Sequence, residues 1–287
     1  MKILTAAKLN LYLDVIGRRD DGYHEIETFY QPVSLWDELT IEKAPSGVIV
    51  EGDDAAVPWN EDNLCHRAAR LILARAAVTA GVRIRVHKGI PSGAGLGGGS
   101  SDAAATLLGV NRLYGCDVRE KDLGELAAEI GSDVPFFILG RSAIGRGRGE
   151  VLEEAPGLTA GWILIVKPEV TISTRWAYQN LNLVLTKDLG ADRLTALVEG
   201  LQRFPDVRLE AHNSFEATVR EHFSTVSGIL EALKAEKPIL SSLSGSGSAC
   251  FAVFAEEREA RDARERLKGQ GLFTRIVQPV TTAIRFV

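Results

Sequence analysis

Five glycines, at 93, 95, 97, 98 and 99, crowd the stretch Pro91-Ser-Gly-Ala-Gly-Leu-Gly-Gly-Gly-Ser-Ser-Asp102. Glycine loses more freedom on folding than any other residue, so this density needs a compensating interaction. Without Cβ atoms, successive backbone N–H groups can turn inward and donate to phosphate oxygens. A helix starting there adds partial positive charge. Ser100 and Ser101 stand where a hydroxyl can cap that helix, bind phosphate or ligate Mg²⁺. A flexible hairpin or linker also tolerates such glycines, but a strand pattern precedes these and a helix pattern follows. No Gly-Lys-Ser or Gly-Lys-Thr comes next, which excludes a Walker A loop. No acidic residue ends a partnering strand about 20 residues on, which excludes the dinucleotide-binding fingerprint. A phosphate loop of a different class explains the pattern better than a flexible linker does.

The elements around the loop are legible. Residues 82–87 alternate as a half-buried strand, and residues 102–113 return to helical spacing through Ala103, Ala104, Leu107 and Leu108. At the N-terminus Leu9, Leu11, Leu13 and Val15 share one face of a strand, with Asn10, Tyr12 and Asp14 on the other. The turn-rich 17–22 leads into Tyr23-His24-Glu25, and strands follow over 35–41 and 48–50. Residues 62–80 read as a helix stopped by Gly81, and 120–130 as another running into Gly131-Ser-Asp-Val-Pro-Phe-Phe137. Beyond Pro156-Gly157, strands are expected at 162–167 and 273–277, and a second glycine-rich run over 243–251 leads into another. Helices are expected at 193–202, 215–233 and 256–268. Such an order implies α+β rather than a doubly wound parallel sheet, with one unit over 1–156 and another over 157–287.

Composition narrows the partners. Hydrophobic residues at 45% and charged residues at 25% are an ordinary globular balance, and the net charge of −5 leaves no broad nucleic-acid footprint. Cys65, Cys116 and Cys250 are odd in number and lack metal or redox spacing, so they read as small hydrophobes in a reducing compartment. No apolar run spans a bilayer, and the N-terminus is charged too early for a signal peptide. A cytoplasmic protein without membrane or nucleic-acid partners is expected.

Three glycine and lysine motifs in order resemble the GHMP kinases (galactose, homoserine, mevalonate and phosphomevalonate kinases). These are Ala7-Lys-Leu-Asn-Leu-Tyr-Leu13, the phosphate loop itself, and Leu243-Ser-Gly-Ser-Gly-Ser-Ala-Cys-Phe251. The lengthened Gly97-Gly-Gly-Ser-Ser run, Asp20-Asp-Gly-Tyr-His24 and the 131–137 segment narrow the resemblance to one member. Its acceptor is a polyol linked to cytidine diphosphate, phosphorylated by ATP on the 2-hydroxyl. The resemblance spans residues 6 to 254 and is weakest over 180–235. It implies a ribosomal-protein-like N-terminal α/β domain and a ferredoxin-like C-terminal one, with the active site in the cleft between them. A monomer or weak homodimer is expected.

The resemblance also assigns roles. Lys8 and Asp133 flank the reacting hydroxyl: Asp133 takes its proton, and Lys8 offsets charge growing on the transferred phosphoryl. By spacing alone Asp133 reads more readily as a helix N-cap before Pro135, and Lys8 as a solvated lysine; the resemblance reverses both. Tyr23 stacks on the cytosine and His24 reads its polar edge, although both also suit a strand after a turn. Tyr30, where the family usually carries phenylalanine, adds a second stacking ring, Tyr178 covers the opposite face, and Asn10 contacts substrate. Asn63, Leu64 and Lys88 match adenine-pocket positions. The run Pro91, Ser92, Gly93, Ala94, Gly95, Leu96, Gly97, Gly98, Gly99, Ser100 and Ser101 cradles the ATP phosphates, with Mg²⁺ held through those phosphates and no dedicated protein cage. Gly245 and Gly247 either close the site from the second domain or form a tight strand-entry turn. Arg146 and Arg148 are kept as structural or rim residues. Rival readings are a homoserine, mevalonate or sugar kinase of the same superfamily, a nucleotide-binding regulator without catalysis, and an RNA-associated module.

Overall fold

The structure, a computed structural model, describes residues 1–181, 190–269 and 271–287. Part of the stretch over which the resemblance is weakest, residues 182–189, therefore lies outside the described residues. In chain order the elements are β1 (Lys2–Arg18), β2 (His24–Ala44), β3 (Val48–Gly52), α1 (Leu64–Arg75), β4 (Gly81–His87), α2 (Gly98–Tyr114), α3 (Glu120–Ile130) and α4 (Val134–Leu139). Next come β5 (Ala143–Arg146), β6 (Val151–Glu154), β7 (Trp162–Lys167), α5 (Thr174–Asn180), α6 (Gly190–Leu201), β8 (His212–Asn213) and α7 (Glu216–His222). The chain ends with α8 (Ser224–Ala235), β9 (Leu240–Leu243), β10 (Cys250–Phe254), α9 (Glu257–Arg266), β11 (Phe273–Val277) and β12 (Ile284–Phe286).

Two sheets carry these elements, and their strands are mostly antiparallel, as the α+β reading requires. The first has the order β12-β1-β2-β4-β3, with β5 and β6 joined through β2 and β8 lying parallel to β1. The second has the order β11-β7-β10-β9 and is antiparallel throughout. Strand alternation divides the core. On β7, Ile163 and Ile165 face the first sheet, where they meet Leu9, Leu11 and Phe29 together with Phe251 and Val253 of β10. The intervening Leu164 and Val166, with Cys250 and Ala252, pack under Val219, Leu230, Ala260 and Ala263 of α7, α8 and α9. Helices α1 to α4 cover the other face of the first sheet, burying Ile72, Leu107, Leu123 and Phe137 against Ile3, Ile41 and Ile84.

Several boundaries depart from the sequence reading. β1 does alternate, but a bulge between Asn10 and Tyr12 breaks its period. Tyr12 therefore joins the cluster of Leu9 and Leu11, while Leu13 and Val15 pass to the cluster under α7 and α8. The helix expected over 62–80 ends at Arg75, because the chain turns into a left-handed conformation at Ala77 (φ 51°). The helix expected over 215–233 is two helices, parted at Phe223 (φ −127°, ψ 85°). β8 and β12, from the second half of the chain, both pair with β1 in the first sheet.

Candidate active site

The phosphate loop links β4 to α2, and its glycines 93, 95 and 97 all take positive φ. Gly97 caps α2 with no side-chain hydrogen bond, which leaves the first N–H groups of the helix facing the loop. The loop from Pro91 to Ser100, backbone and side chains, forms one wall of a cavity of about 420 Å³. Residues 56–58, Asn63 and Leu64 form the other. Ser101 is the exception among the residues assigned to ATP. It is fully buried, its hydroxyl donates to the Ala6 carbonyl at 2.6 Å and bonds Thr5, and so it ties α2 to β1 rather than facing the cavity. Asn63 borders the cavity, but its side chain is spent on the fold. It caps α1 by accepting from Cys65 N at 2.9 Å and donates to the Pro58 carbonyl at 2.8 Å.

Lys88 is likewise committed beneath the loop. Its ammonium bonds the buried carboxylates of Asp37 and, at 2.7 Å, Asp102. Asp37 also accepts backbone N–H groups of Gly89 and Ile90 at 2.7 and 2.8 Å, whereas Asp102 Oδ1 has no hydrogen-bond partner among the described residues. Burial pushes the Asp102 carboxyl upward, and Lys88 opposes this. The lysine thus anchors the strand before the loop to the helix after it. Replacing it by methionine leaves two buried carboxylates facing each other. The Lys88→Met variant is expected to lose about 3–5 kcal/mol of stability, read from a denaturant melt. A loss below ~1 kcal/mol would return Lys88 to the role of a free ligand.

A second cavity, of about 920 Å³, adjoins the first. Gly95, Ser100, Asp133 and Thr174 border both. At this junction Lys8 Nζ lies 3.4 Å from Asp133 Oδ2. Lys8 is buried in the middle of β1, and its ammonium donates to Asn10 Oδ1 at 2.5 Å. Asn10 is oriented in turn by donating to Thr28 Oγ1 at 2.7 Å, and Thr28 donates to the Tyr12 carbonyl at 2.7 Å. A lysine held this firmly offers a fixed charge. Asp133 precedes Pro135 at the start of α4 but makes no capping hydrogen bond, so its carboxylate is not spent on the helix. Tyr30 Oη donates to Asp133 Oδ1 at 3.0 Å.

The far end of the cavity is aromatic. The Tyr23 ring is 54% exposed, and one of its faces is covered by the Arg148 guanidinium, 4.9 Å from its centroid. His24 and Tyr178 stack on each other, 4.6 Å between centroids and 17° between planes. A base therefore reaches that face of Tyr178 only by displacing His24. Burial and the Arg18 charge hold the His24 imidazole below its ordinary value, so it is neutral near pH 7. Burial pushes the Tyr178 phenol up to about 12. Tyr30 lacks the open face that stacking requires: it is 1% exposed and tilted against Phe136 at 4.8 Å.

The two arginines kept as rim residues part ways. Arg146 turns outward to Glu27 and Glu153, at 3.0 and 2.9 Å, while Arg148 lines the second cavity together with Arg18 and Arg175. Nothing in their spacing separates Arg146 from Arg148, since both lie in one hairpin. Ser132 and Thr174 also border the cavity and were not expected there. The late turn at 244–249 meets the phosphate loop. Ser244 Oγ donates to the Gly95 carbonyl at 2.9 Å and Ala249 N to the Ala94 carbonyl at 3.1 Å, while Gly245 borders the cavity. Cys65 and Cys250 are buried with thiols pushed up by desolvation, and Cys116 is half-buried. No helix among the described residues is long and apolar enough to cross a membrane.

Known proteins resemble this chain in sequence and fold. Residues 63–141 match the family model of the GHMP kinases N terminal domain, and residues 194–271 that of the GHMP kinases C terminal domain. The chain is 37% identical over 262 residues to a 4-diphosphocytidyl-2-C-methyl-D-erythritol kinase of Syntrophomonas wolfei, covering 91% of this chain and 92% of the relative. A Geobacter sulfurreducens protein of the same name is 39% identical over 285 residues, with 98% and 100% covered. A crystal structure of 4-(cytidine 5'-diphospho)-2C-methyl-D-erythritol kinase superposes with a TM-score of 0.83 at 37% identity, covering 98% of this chain and all of that one. A homoserine kinase from Cytophaga hutchinsonii superposes with a TM-score of 0.77 at 17% identity, a likeness of fold alone.

Proposed function

The chain belongs to the 4-diphosphocytidyl-2-C-methyl-D-erythritol kinases of the GHMP kinase superfamily, and we propose that it performs their reaction with Asp133 as base and Lys8 beside it. It has the two-domain GHMP fold and is an ATP-dependent phosphotransferase with an alcohol acceptor, serving isoprenoid precursor synthesis. The acceptor is the 2-hydroxyl of 4-diphosphocytidyl-2-C-methyl-D-erythritol. One observation carries the assignment of roles. Lys8 and Asp133 meet where a glycine-walled cavity opens into an aromatic one.

In this reading the loop from Pro91 to Ser100 holds the ATP phosphates and Leu64 borders the adenine. Tyr23, backed by Arg148, offers its open face to the cytosine. The neutral His24 can accept from or donate to the polar edge of the base. Asp133 accepts the proton of the acceptor hydroxyl as its oxygen attacks the γ-phosphorus. The Lys8 ammonium faces the charge that gathers on the phosphoryl oxygens. Ser100 borders both cavities with a hydroxyl that suits Mg²⁺ arriving on ATP. Once bound, that ion neutralises phosphate charge. The division at 156/157, a cytoplasmic setting and a monomer or weak homodimer complete the proposal.

Competing acceptors test it. With ATP saturating, 4-diphosphocytidyl-2-C-methyl-D-erythritol is expected to be phosphorylated with a kcat/KM at least ~10³ above that of mevalonate or homoserine, because neither fills the aromatic end. Equal turnover of either rival rejects the proposal.

A further inference from the structure

The turn Gly145-Arg-Gly-Arg-Gly149 touches no phosphate in the scheme above, yet two of its glycines back onto the active site. A Cβ on Gly145 would lie 2.6 Å from the Tyr30 ring, and one on Gly149 would lie 2.4 Å from the Tyr30 hydroxyl. Gly149 also sits at φ +107°, where a side chain is strained in any case. Phe136 closes the ring from another side, and Lys8 Nζ lies 5.5 Å from its centroid. The phenol is thus seated in a slot shaped by bare backbone, and its hydroxyl donates to Asp133 Oδ1 at 3.0 Å. Burying a hydroxyl costs stability unless it is hydrogen-bonded, and a bare ring would fill the same slot without that cost.

We infer that Tyr30 is a positioning residue for phosphoryl transfer. Its hydroxyl fixes Oδ1 of Asp133, so that Oδ2, beside Lys8, is the oxygen presented to the acceptor hydroxyl, and Gly145 and Gly149 keep the phenol in register. Burial, with the Asp133 charge adding to it, holds the Tyr30 phenol well above its ordinary value, so it remains a donor through neutral and mildly alkaline pH. This inference rests on Asp133 being the base.

The test is a double-mutant cycle of Tyr30→Phe and Asp133→Asn, read in steady-state kinetics with melting temperatures alongside. Tyr30→Phe alone is expected to lower kcat roughly tenfold, with both KM values within twofold and the melt unchanged. On the Asp133→Asn background the same change is expected to cost less than about twofold, because the carboxylate it orients is gone. If Asp133→Asn keeps its activity, the base assignment itself fails. If Asp133→Asn falls while Tyr30→Phe leaves kcat intact, or costs the same factor on both backgrounds, the positioning role alone is overturned. A fall in kcat accompanied by raised KM values and a lowered melt assigns Tyr30 to packing and also overturns it.

Discussion

Asp133→Asn is expected to lower kcat by about three orders of magnitude, within the roughly 10²–10⁴ that a positioned general base supplies. The change is close to isosteric. An amide oxygen can still accept from Tyr30, and Lys8 keeps its 2.5 Å bond to Asn10, so the wall between the two cavities should hold its shape. What disappears is the acceptor of the proton and a negative charge 3.4 Å from a buried ammonium. Asp133 is about one-third exposed, with a side-chain exposure of 32%. Lys8, however, is buried, with a side-chain exposure of 4%, so losing its counter-ion should cost roughly 1–3 kcal/mol, less than for a fully buried pair. ATP binding depends on the glycine wall and is expected to stay within about twofold. Single-turnover rates with a fluorescent ATP analogue as binding control separate the two effects. A phosphoryl-transfer rate within tenfold of the parent would mean that the loose transition state needs no base here, and that Asp133 only helps Lys8 hold its place.

The phosphate loop could be read because its chemistry is local: glycine density, a strand before it and a helix after it all lie within about 30 residues. Lys8 and Asp133 sit 125 positions apart, and only the family resemblance paired them. Their contact depends on where the fold brings the start of α4 relative to β1. Residues named from motif position alone divided according to partners that spacing does not encode. Ser100 borders both cavities while its neighbour Ser101 turns into the core, the rotation one step along a helix produces. Lys88 met two aspartates, one of them 51 positions away on β2. The aromatic type of Tyr30 suggests a stacking face, but its ring is enclosed against Phe136. β8 and β12, two and three residues long, are too short to show any period, so their return to the first sheet had no signal.

Gly95→Ala is expected to reduce kcat/KM for ATP on the order of 10²-fold, the scale of an ångström-level misplacement in a positioned site. Gly95 has φ +76°, a conformation that costs an alanine roughly 1–2 kcal/mol. The added Cβ would lie 2.1 Å from the Ser244 carbonyl oxygen and 3.0 Å from its carbon. Those are backbone atoms, and the backbone there is pinned: Ser244 Oγ holds the Gly95 carbonyl and Ala249 N holds that of Ala94. The clash cannot be relieved by swinging a side chain away, so the phosphate loop and the 244–249 turn must separate. Separation pulls apart the two walls that meet at Gly95, which borders both cavities. Stability should fall by about 2–4 kcal/mol as the stitched bonds are strained. Gly124→Ala in α3 is the matched control, since its Cβ would meet nothing within 4 Å and helix propensity favours alanine by up to about 1 kcal/mol. Stopped-flow ATP binding and thermal melts of both variants decide the matter. If Gly95→Ala binds ATP and melts as Gly124→Ala does, the two glycine loops are not one phosphate-holding unit, and the late turn is only a strand entry.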